Sequence, residues 1–280
     1  MITQEVMNED WDYLVVLDAC RYDVFKQTYS DYLSGSLEKR KSKGSSTLDW
    51  LFNNFTERYD VNYFSANPYI NSLGISLDET KWGASCGYDW TAKDHFNEII
   101  DIWEHGWNDE LGTVHPTEMN KKVLDYSDKL NDRSIIHYMQ PHSPFISNGK
   151  PRKLKRIRKG LKQKQDTNDA RLIEKIRKLL ESKLISNRVV MKIGMLLNLE
   201  ISDIFSSMRP DRLRQKLMKY YRQNLELALE SVVKLIEKID GKIVVTADHG
   251  EAFGEHGVWE HHIETYIPQL TNVPWLVVQN

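Results

Sequence analysis

Apolar positions along the chain fall into two spacings. Short unbroken apolar runs occur at Tyr13–Leu17 (YLVVL), Val61–Ala66 (VNYFSA), Ser134–Met139 (SIIHYM), Lys242–Thr246 (KIVVT) and Val273–Val278 (VPWLVV). They are rich in β-branched and aromatic residues and do not alternate strictly with polar ones. That is the pattern of strands buried on both faces, as in a parallel sheet. Between them the spacing changes to three and four. Leu213, Leu217, Tyr221, Leu225, Ala228, Val232, Leu235 and Ile239 predict one long amphipathic helix, opened by Pro210 and closed by Gly241. Ser46-Thr47-Leu48-Asp49 ahead of Trp50, Leu51 and Phe55 predicts a capped helix start, and Thr117 to Leu130 a weaker helix. Strands alternating with helices predict an α/β fold with a mostly parallel central sheet flanked by helices.

The pattern breaks once, from Lys150 to about Arg209. Residues 1–280 are therefore expected to form a single α/β domain, with 150–209 a helical insertion within it. Lys150–Lys164 is dense in Lys and Arg and holds no acid. Such a run is either a solvated helix face or a landing surface for something anionic, a membrane face included. It carries no aromatic residue, so stacking on single-stranded nucleic acid is not expected.

Composition narrows little else: 40% hydrophobic, 28% charged and a net charge of −2 describe an ordinary globular protein. Cys20 and Cys86 form no CxxC pair or disulfide framework, and the N-terminal residues do not read as a leader. A cytoplasmic location is the expectation.

The chemistry gathers at strand ends. YLVVL runs into Asp18, and KIVVT into Ala247, Asp248, His249 and Gly250. Ligands of open parallel sheets bind beyond the carboxyl ends of the strands. Two carboxylates and an imidazole converging there make a divalent-metal site short of one or two ligands. One Asp after a strand is commonly a turn or cap. The GEHG turn and the pair His261-His262 that follow are harder to explain as surface decoration.

A hydroxyl beside such a metal would be a nucleophile at neutral pH, and Gly44-Ser45-Ser46-Thr47 supplies candidates at a helix N-terminus. Ser46 with Asp49 also reads as an ordinary capping box; both readings hold if Ser46 caps and Thr47 reacts. His142, between two prolines in QPHSPF, is placed to bind anionic oxygens or to protonate a leaving group. His137 lies within a strand and is assigned to the core. Arg21 stays open between a positive contact and a helix surface.

Together these stretches resemble the alkaline phosphatase and sulfatase superfamily. "DHGEAFGEHGVWEHH…YIPQLTNVPWLV" resembles its C-terminal signature, "VVLDACRYD" its first metal-binding strand, and "QPHSPF" its middle HxPF motif. "KYYRQNLELALESVVKLIEKI" resembles the long helix before the last metal strand. The resemblance implies that Asp18, Asp248 and His249 hold one divalent ion (Mn²⁺, Zn²⁺, Ca²⁺ or Mg²⁺), with Thr47 the bridging nucleophile. It implies that His142 and His261 contact phosphate oxygens or complete a partial second site. A role for His256 stays open, and Glu251 is expected to steady an imidazole.

One departure matters. Sulfatases carry C-x-P-S-R, and Ser46-Thr47-Leu48-Asp49-Trp50 lacks both the Pro and the Arg. Cys20 does not substitute, because it follows Asp18. The expectation is thus a metal-dependent phosphoester hydrolase or phosphotransferase working through a phospho-Thr47 intermediate, with Ser46 the alternative in a shifted register. A sulfatase with an atypical nucleophile and a catalytically silent binder of anionic polymers remain the rival readings. By analogy, the partner is an anionic phosphoester linked to polysaccharide or the cell envelope.

Overall fold

The computed structural model describes residues 1–80, 83–84, 86–131, 133–146 and 210–279. The expected insertion at 150–209, with its basic run Lys150–Lys164, lies outside the described residues. In chain order the elements begin with β1 (Ile2–Thr3), β2 (Tyr13–Leu17), α1 (Tyr22–Thr28), β3 (Gly35–Lys41), α2 (Thr47–Asn54) and β4 (Asn62–Ser65). They continue through α3 (Ala92–His95), β5 (Glu98–Asp101), α4 (Ile102–His105), β6 (Trp107–Asn108), β7 (Thr113–Val114), α5 (Pro116–Asp125) and β8 (Ser134–Tyr138). After the undescribed stretch come α6 (Pro210–Ile236), β9 (Ile243–Thr246), β10 (Ala252–Phe253), β11 (Trp259–Glu260), α7 (Pro268–Thr271) and β12 (Asn272–Val278).

Eight strands form one sheet in the order β1-β3-β12-β9-β2-β8-β4-β5. Only β12 runs against its neighbours β3 and β9; the other pairings are parallel. The fold is therefore the expected α/β class with a mostly parallel central sheet. Each of the five apolar runs contributes a strand.

Both faces of that sheet are covered, which is why its strands read as unbroken apolar runs. On β2, Tyr13, Val15 and Leu17 pack with Phe25 of α1, Val123 of α5 and Tyr221, Leu225 and Val232 of α6. The alternate residues Leu14 and Val16 pack on the other face, with Leu48, Trp50 and Leu51 of α2 and with Tyr63. The same alternation divides β8: Ile136 joins the α6 face and Ile135 the α2 face. His137, two residues past Ile135 and paired with Val16, shares the α2 face.

β3 was not foreseen. Its sequence GSLEKRK carries neither an apolar run nor strict alternation, yet it pairs with β12 along its whole length, from Lys41 opposite Asn272 to Gly35 opposite Val278. Arg40 stacks over Trp275, with its guanidinium carbon 4.3 Å from the ring centroid, and pairs with Glu9 and Glu38. The buried charge of the strand is thereby satisfied. β3 runs the same way as β9, so its end delivers the loop to α2 at the same sheet edge as the ends of β2, β4, β8 and β9.

Candidate metal centre

Four strand ends and one helix start meet at that edge. Asp18 directly follows β2, and Asp248-His249 follow β9; all three are buried. Thr47 opens α2 with Oγ1 2.7 Å from Asp248 Oδ2, to which it donates, and 3.4 Å from His249 Nε2. His249 Nε2 lies 3.7 Å from Asp18 Oδ1 and 3.4 Å from Asp248 Oδ2. The sequence-predicted quartet Asp18, Thr47, Asp248 and His249 is therefore one cluster.

The backbone around it is locked from several sides. Asp248 Oδ1 accepts from the amides of Ala19 (3.0 Å) and His249 (2.8 Å), and Ser42 Oγ donates to the Asp248 carbonyl. Ala19 sits at φ 60°, a left-handed conformation that costs free energy in a non-glycine residue. Tyr221 of α6 holds it there, donating to Ala19 O at 2.6 Å and accepting from the Arg21 amide at 2.8 Å. Gly250 is required by close approach, since a Cβ there would fall 2.0 Å from the carbonyl oxygen of Gln269. His249 Nδ1 lies 2.7 Å from the Gly250 carbonyl, which leaves Nε2 to face the carboxylates.

The electrostatics ask for a cation. Burial, and then the neighbouring Asp248, push the Asp18 carboxyl well above the usual carboxylate range. Burial, reinforced by His261, pulls His249 down to about 3, so its ring is a neutral donor. Asp18 Oδ1 is buried with no hydrogen-bond partner. No Lys or Arg side chain among the described residues forms an ion pair with Asp18 or Asp248. Two buried carboxylates, a neutral imidazole and an unpaired oxygen fit a divalent ion.

Ser46 has a different neighbourhood. Its amide and Oγ both donate to Asp49 Oδ1, at 2.7 and 2.6 Å, while Ser45 does the same to Oδ2 at 2.8 Å each. Asp49 thus gathers the loop that precedes α2, and Thr47 is the hydroxyl turned to Asp248.

Opposite the carboxylates stands a pair of half-buried histidines. His142 and His261 have ring centroids 5.0 Å apart, and His261 lies 4.4 Å from the His249 ring. His261 Nδ1 is 3.2 Å from Glu251 Oε2. Burial works against a charge on His261, but the Glu251 carboxylate outweighs it and holds the ring up to about 9. Burial, and then the charge on His261, draw His142 down to about 4. The His142 loop hangs from Asn224 of α6, whose Nδ2 donates to the carbonyls of Pro141, His142 and Pro144 at 3.3, 3.1 and 3.2 Å. Ligand atoms of His142, Glu251 and His261 lie close enough together to hold a cation as well.

The remaining candidates are not at the centre. His256 and His262 are exposed. Arg21 is neither a helix-surface residue nor an unpaired positive contact. It is buried and bonded at all three nitrogens, pairing with Asp23 at 2.7 Å and Glu255 at 2.8 Å and donating to the Glu251 carbonyl at 3.1 Å. It ties the turn after β2 to the GEHG loop.

Two residues at the centre escaped the sequence reading. Asn67, just past β4, donates from Nδ2 to Asp18 Oδ2 at 2.8 Å and reaches Thr47 Oγ1 at 3.4 Å. An Asn after a strand reads as a turn, and only the position of β4 beside β8 brings it here. His137 is the other: its Nε2 lies 3.7 Å from Asp248 Oδ2, so it does not belong to the apolar core.

The family model described as Sulfatase matches residues 25–280. No curated protein matches the chain. Among solved structures, the chain is similar to the soluble domain of lipooligosaccharide phosphoethanolamine transferase A from Neisseria meningitidis, at 14% identity and a TM-score of 0.49 over 95% of this chain and 75% of that one. It spans 47% of the same enzyme taken as an integral membrane protein. It is also similar to the C-terminal periplasmic domain of phosphoethanolamine transferase EptC from Campylobacter jejuni, with 13% identity and a TM-score of 0.42 over 94% of this chain and 77% of that one. A third is the phosphonate monoester hydrolase of Agrobacterium radiobacter, with 12% identity and a TM-score of 0.47 over 95% of this chain and 67% of that one. The cytoplasmic expectation is corrected here: these structures include a periplasmic domain and the soluble domain of an integral membrane enzyme. Its physical basis was thin as well, because a free thiol buried in the core, as Cys20 is, does not report on the compartment. No helix among the described residues is long and apolar enough to cross a membrane.

Proposed function

The chain belongs to the sulfatase family, and from that premise we propose that it is a divalent-metal-dependent enzyme acting on an anionic phosphoester through the hydroxyl of Thr47. The observation that carries the reading is the 2.7 Å hydrogen bond from Thr47 Oγ1 to Asp248 Oδ2, inside a buried cluster with Asp18 and His249. Asp18, Asp248, His249 and Thr47 would hold the ion. A bound divalent ion would supply the acidification of the hydroxyl and the neutralisation of phosphoryl charge. Zn²⁺, Mn²⁺, Ca²⁺ and Mg²⁺ all suit this quartet.

The chain's own residues divide the reaction between them. Thr47 Oγ1 passes its proton toward Asp248 and forms a bond to phosphorus while the ester P–O bond breaks. His261, held charged by Glu251, faces the phosphoryl oxygens and donates its proton to the leaving oxygen. Water or an acceptor hydroxyl then attacks the phospho-Thr47 ester and gives its proton back to His261, while the Thr47 oxygen leaves with the proton held by Asp248 and phosphate or a new ester is released. The dipole at the N-terminus of α2 favours the anion throughout. The substrate class we assign is an anionic ester of the cell envelope.

The test is turnover of p-nitrophenyl phosphate, bis-p-nitrophenyl phosphate and p-nitrophenyl sulfate by metal-stripped protein, with each divalent ion restored in turn. Metal-dependent phosphoester turnover lost in Thr47→Ala and kept in Ser46→Ala, with a phosphoryl adduct mapped to Thr47, is the expected result. Loss only in Ser46→Ala, or turnover of the sulfate ester alone, overturns the assignment. Silence with every ion restored, together with tight metal binding, would leave two readings: a selective transferase lacking its acceptor, or a binding protein on an enzyme's fold.

A further inference from the structure

β8 carries an imidazole that the core does not explain. His137 is fully buried, its Nδ1 lies 2.8 Å from the Tyr63 hydroxyl, and its Nε2 has no hydrogen-bond partner. A buried polar atom left unpaired costs about 1–3 kcal/mol, and an apolar side chain such as that of Ile135 on the same face would avoid that cost. The ring is held in place, edge-on to Trp50 with centroids 6.1 Å apart. Its unpaired Nε2 faces Asp248 Oδ2 at 3.7 Å, and Asp18, whose Oδ1 is also unpaired, belongs to the same group of possible ligands.

Three separations suit atoms sharing one ion, and ligand atoms of Asp18, His137 and Asp248 all lie within 4.8 Å of one another. Nitrogen and oxygen ligands sit about 2.0–2.2 Å from zinc, which puts neighbouring ligand atoms roughly 3–4 Å apart. His137 Nε2 to Asp248 Oδ2 is 3.7 Å, His249 Nε2 to Asp248 Oδ2 is 3.4 Å and His249 Nε2 to Asp18 Oδ1 is 3.7 Å. We propose that His137 Nε2 is itself a ligand of the metal, so that the centre holds two imidazoles, His137 and His249, with Asp18 and Asp248. The inference rests on the metal-centre reading above and deepens it.

Two consequences follow from the chemistry. A ligating Nε2 must present its lone pair, so Nδ1 carries the proton and donates it to the Tyr63 hydroxyl. Tyr63 therefore fixes the tautomer, as outer partners of metal-bound histidines do. A second nitrogen ligand also moves the donor set away from the all-oxygen sites that Ca²⁺ and Mg²⁺ favour and toward Zn²⁺ or Mn²⁺. The alternative is that Nε2 carries the proton and His137 merely braces Asp248.

Zinc-edge X-ray absorption on protein loaded with one equivalent of Zn²⁺ separates the two by counting imidazoles. The expected result is two imidazoles in the wild type, one in His137→Gln, one in His249→Gln and two in His261→Gln. Chelator competition should show the zinc dissociation constant rising by about 10-fold or more in His137→Gln, and by about 10–100-fold in Tyr63→Phe with the imidazole count unchanged. One imidazole in the wild type, or a second one lost in His261→Gln and kept in His137→Gln, overturns the proposal and leaves the metal centre standing. Failure of the wild type to retain stoichiometric zinc removes the metal centre and His137 with it. If His137→Gln does not fold, the wild-type and His261→Gln counts still decide.

Discussion

The two sides of the centre are built on different terms. Asp18, Asp248, His249 and His137 come from β8 or from the residues directly after β2 and β9, and each is at most 2% exposed. His142, Glu251 and His261 come from loops, and the His261 side chain keeps 22% of its surface open. The first side is a dry cage anchored in a sheet that is covered on both faces. The second is a mouth, where an anion can enter and leave. The difference predicts that changes in the cage alter what the protein retains, whereas changes in the mouth alter how fast it turns over.

Thr47 sits on the boundary, and removing it should give the largest effect. Thr47→Ala is expected to lower turnover by on the order of 10^4- to 10^6-fold, the scale seen when a group acting in concert with others is deleted. Because Asp18, Asp248 and His249 remain, stoichiometric metal should still bind. Equal losses of metal and activity would show that the hydroxyl's main part is as a ligand. On the mouth side, His261→Gln should lower kcat/KM by about 10^2- to 10^3-fold with metal content unchanged, as expected for a group that meets developing charge. Loss of metal in that variant would collapse the distinction between mouth and cage.

Those expectations also show where the sequence was legible. Asp18 and Asp248-His249 stood out because each ends an unbroken apolar run, so strand position and ligand chemistry coincided in a few residues. Thr47 was readable because a capping box announces a helix start. His137 was not, because SIIHYM reads as a core strand and only the pairing of β8 with β2 shows where its fourth residue faces. Asn67 was hidden for the same reason, since it acts through the place of β4 in the sheet. β3 was invisible because its buried Arg40 is satisfied partly by Glu9 and the face of Trp275, partners far from it in the chain. Arg21 was left open between a positive contact and a helix surface because its partner Glu255 lies far along the sequence. What local pattern conveys is periodicity and strand-end chemistry; what it omits is strand order, and this centre depends on strand order.

Asn67 makes the next cut. It donates to Asp18 at 2.8 Å from a buried position and should orient that carboxylate without reacting. Asn67→Ala is expected to weaken metal retention by about 10–100-fold, as losses of outer hydrogen bonds to metal ligands do. Saturating metal should restore most of the activity, which the mouth variant His261→Gln would not show. Activity that stays low at saturating metal would instead place Asn67 among the groups that meet the substrate, through its 3.4 Å contact with Thr47 Oγ1.

The smallest effect is the most discriminating. Ser46 and Thr47 are adjacent hydroxyls, and a shift of one residue in the helix start would exchange their roles. Ser46 Oγ donates to Asp49 Oδ1 at 2.6 Å, whereas Thr47 Oγ1 donates to Asp248 Oδ2 at 2.7 Å. Ser46→Ala therefore removes one hydrogen bond at the helix start and leaves the Ser46 amide bonded to Asp49 at 2.7 Å. Loss of a serine at this position costs about 0.5–2 kcal/mol of stability. Turnover at a temperature well below unfolding should stay within a few-fold of the wild type, and metal content should not change. A collapse of turnover in a folded Ser46→Ala protein would move the nucleophile by one residue and carry it from the cage edge to the Asp49 loop. Reciprocal behaviour of the two alanine variants, one stable and silent, the other active and less stable, is the signature expected if Ser46 caps and Thr47 reacts.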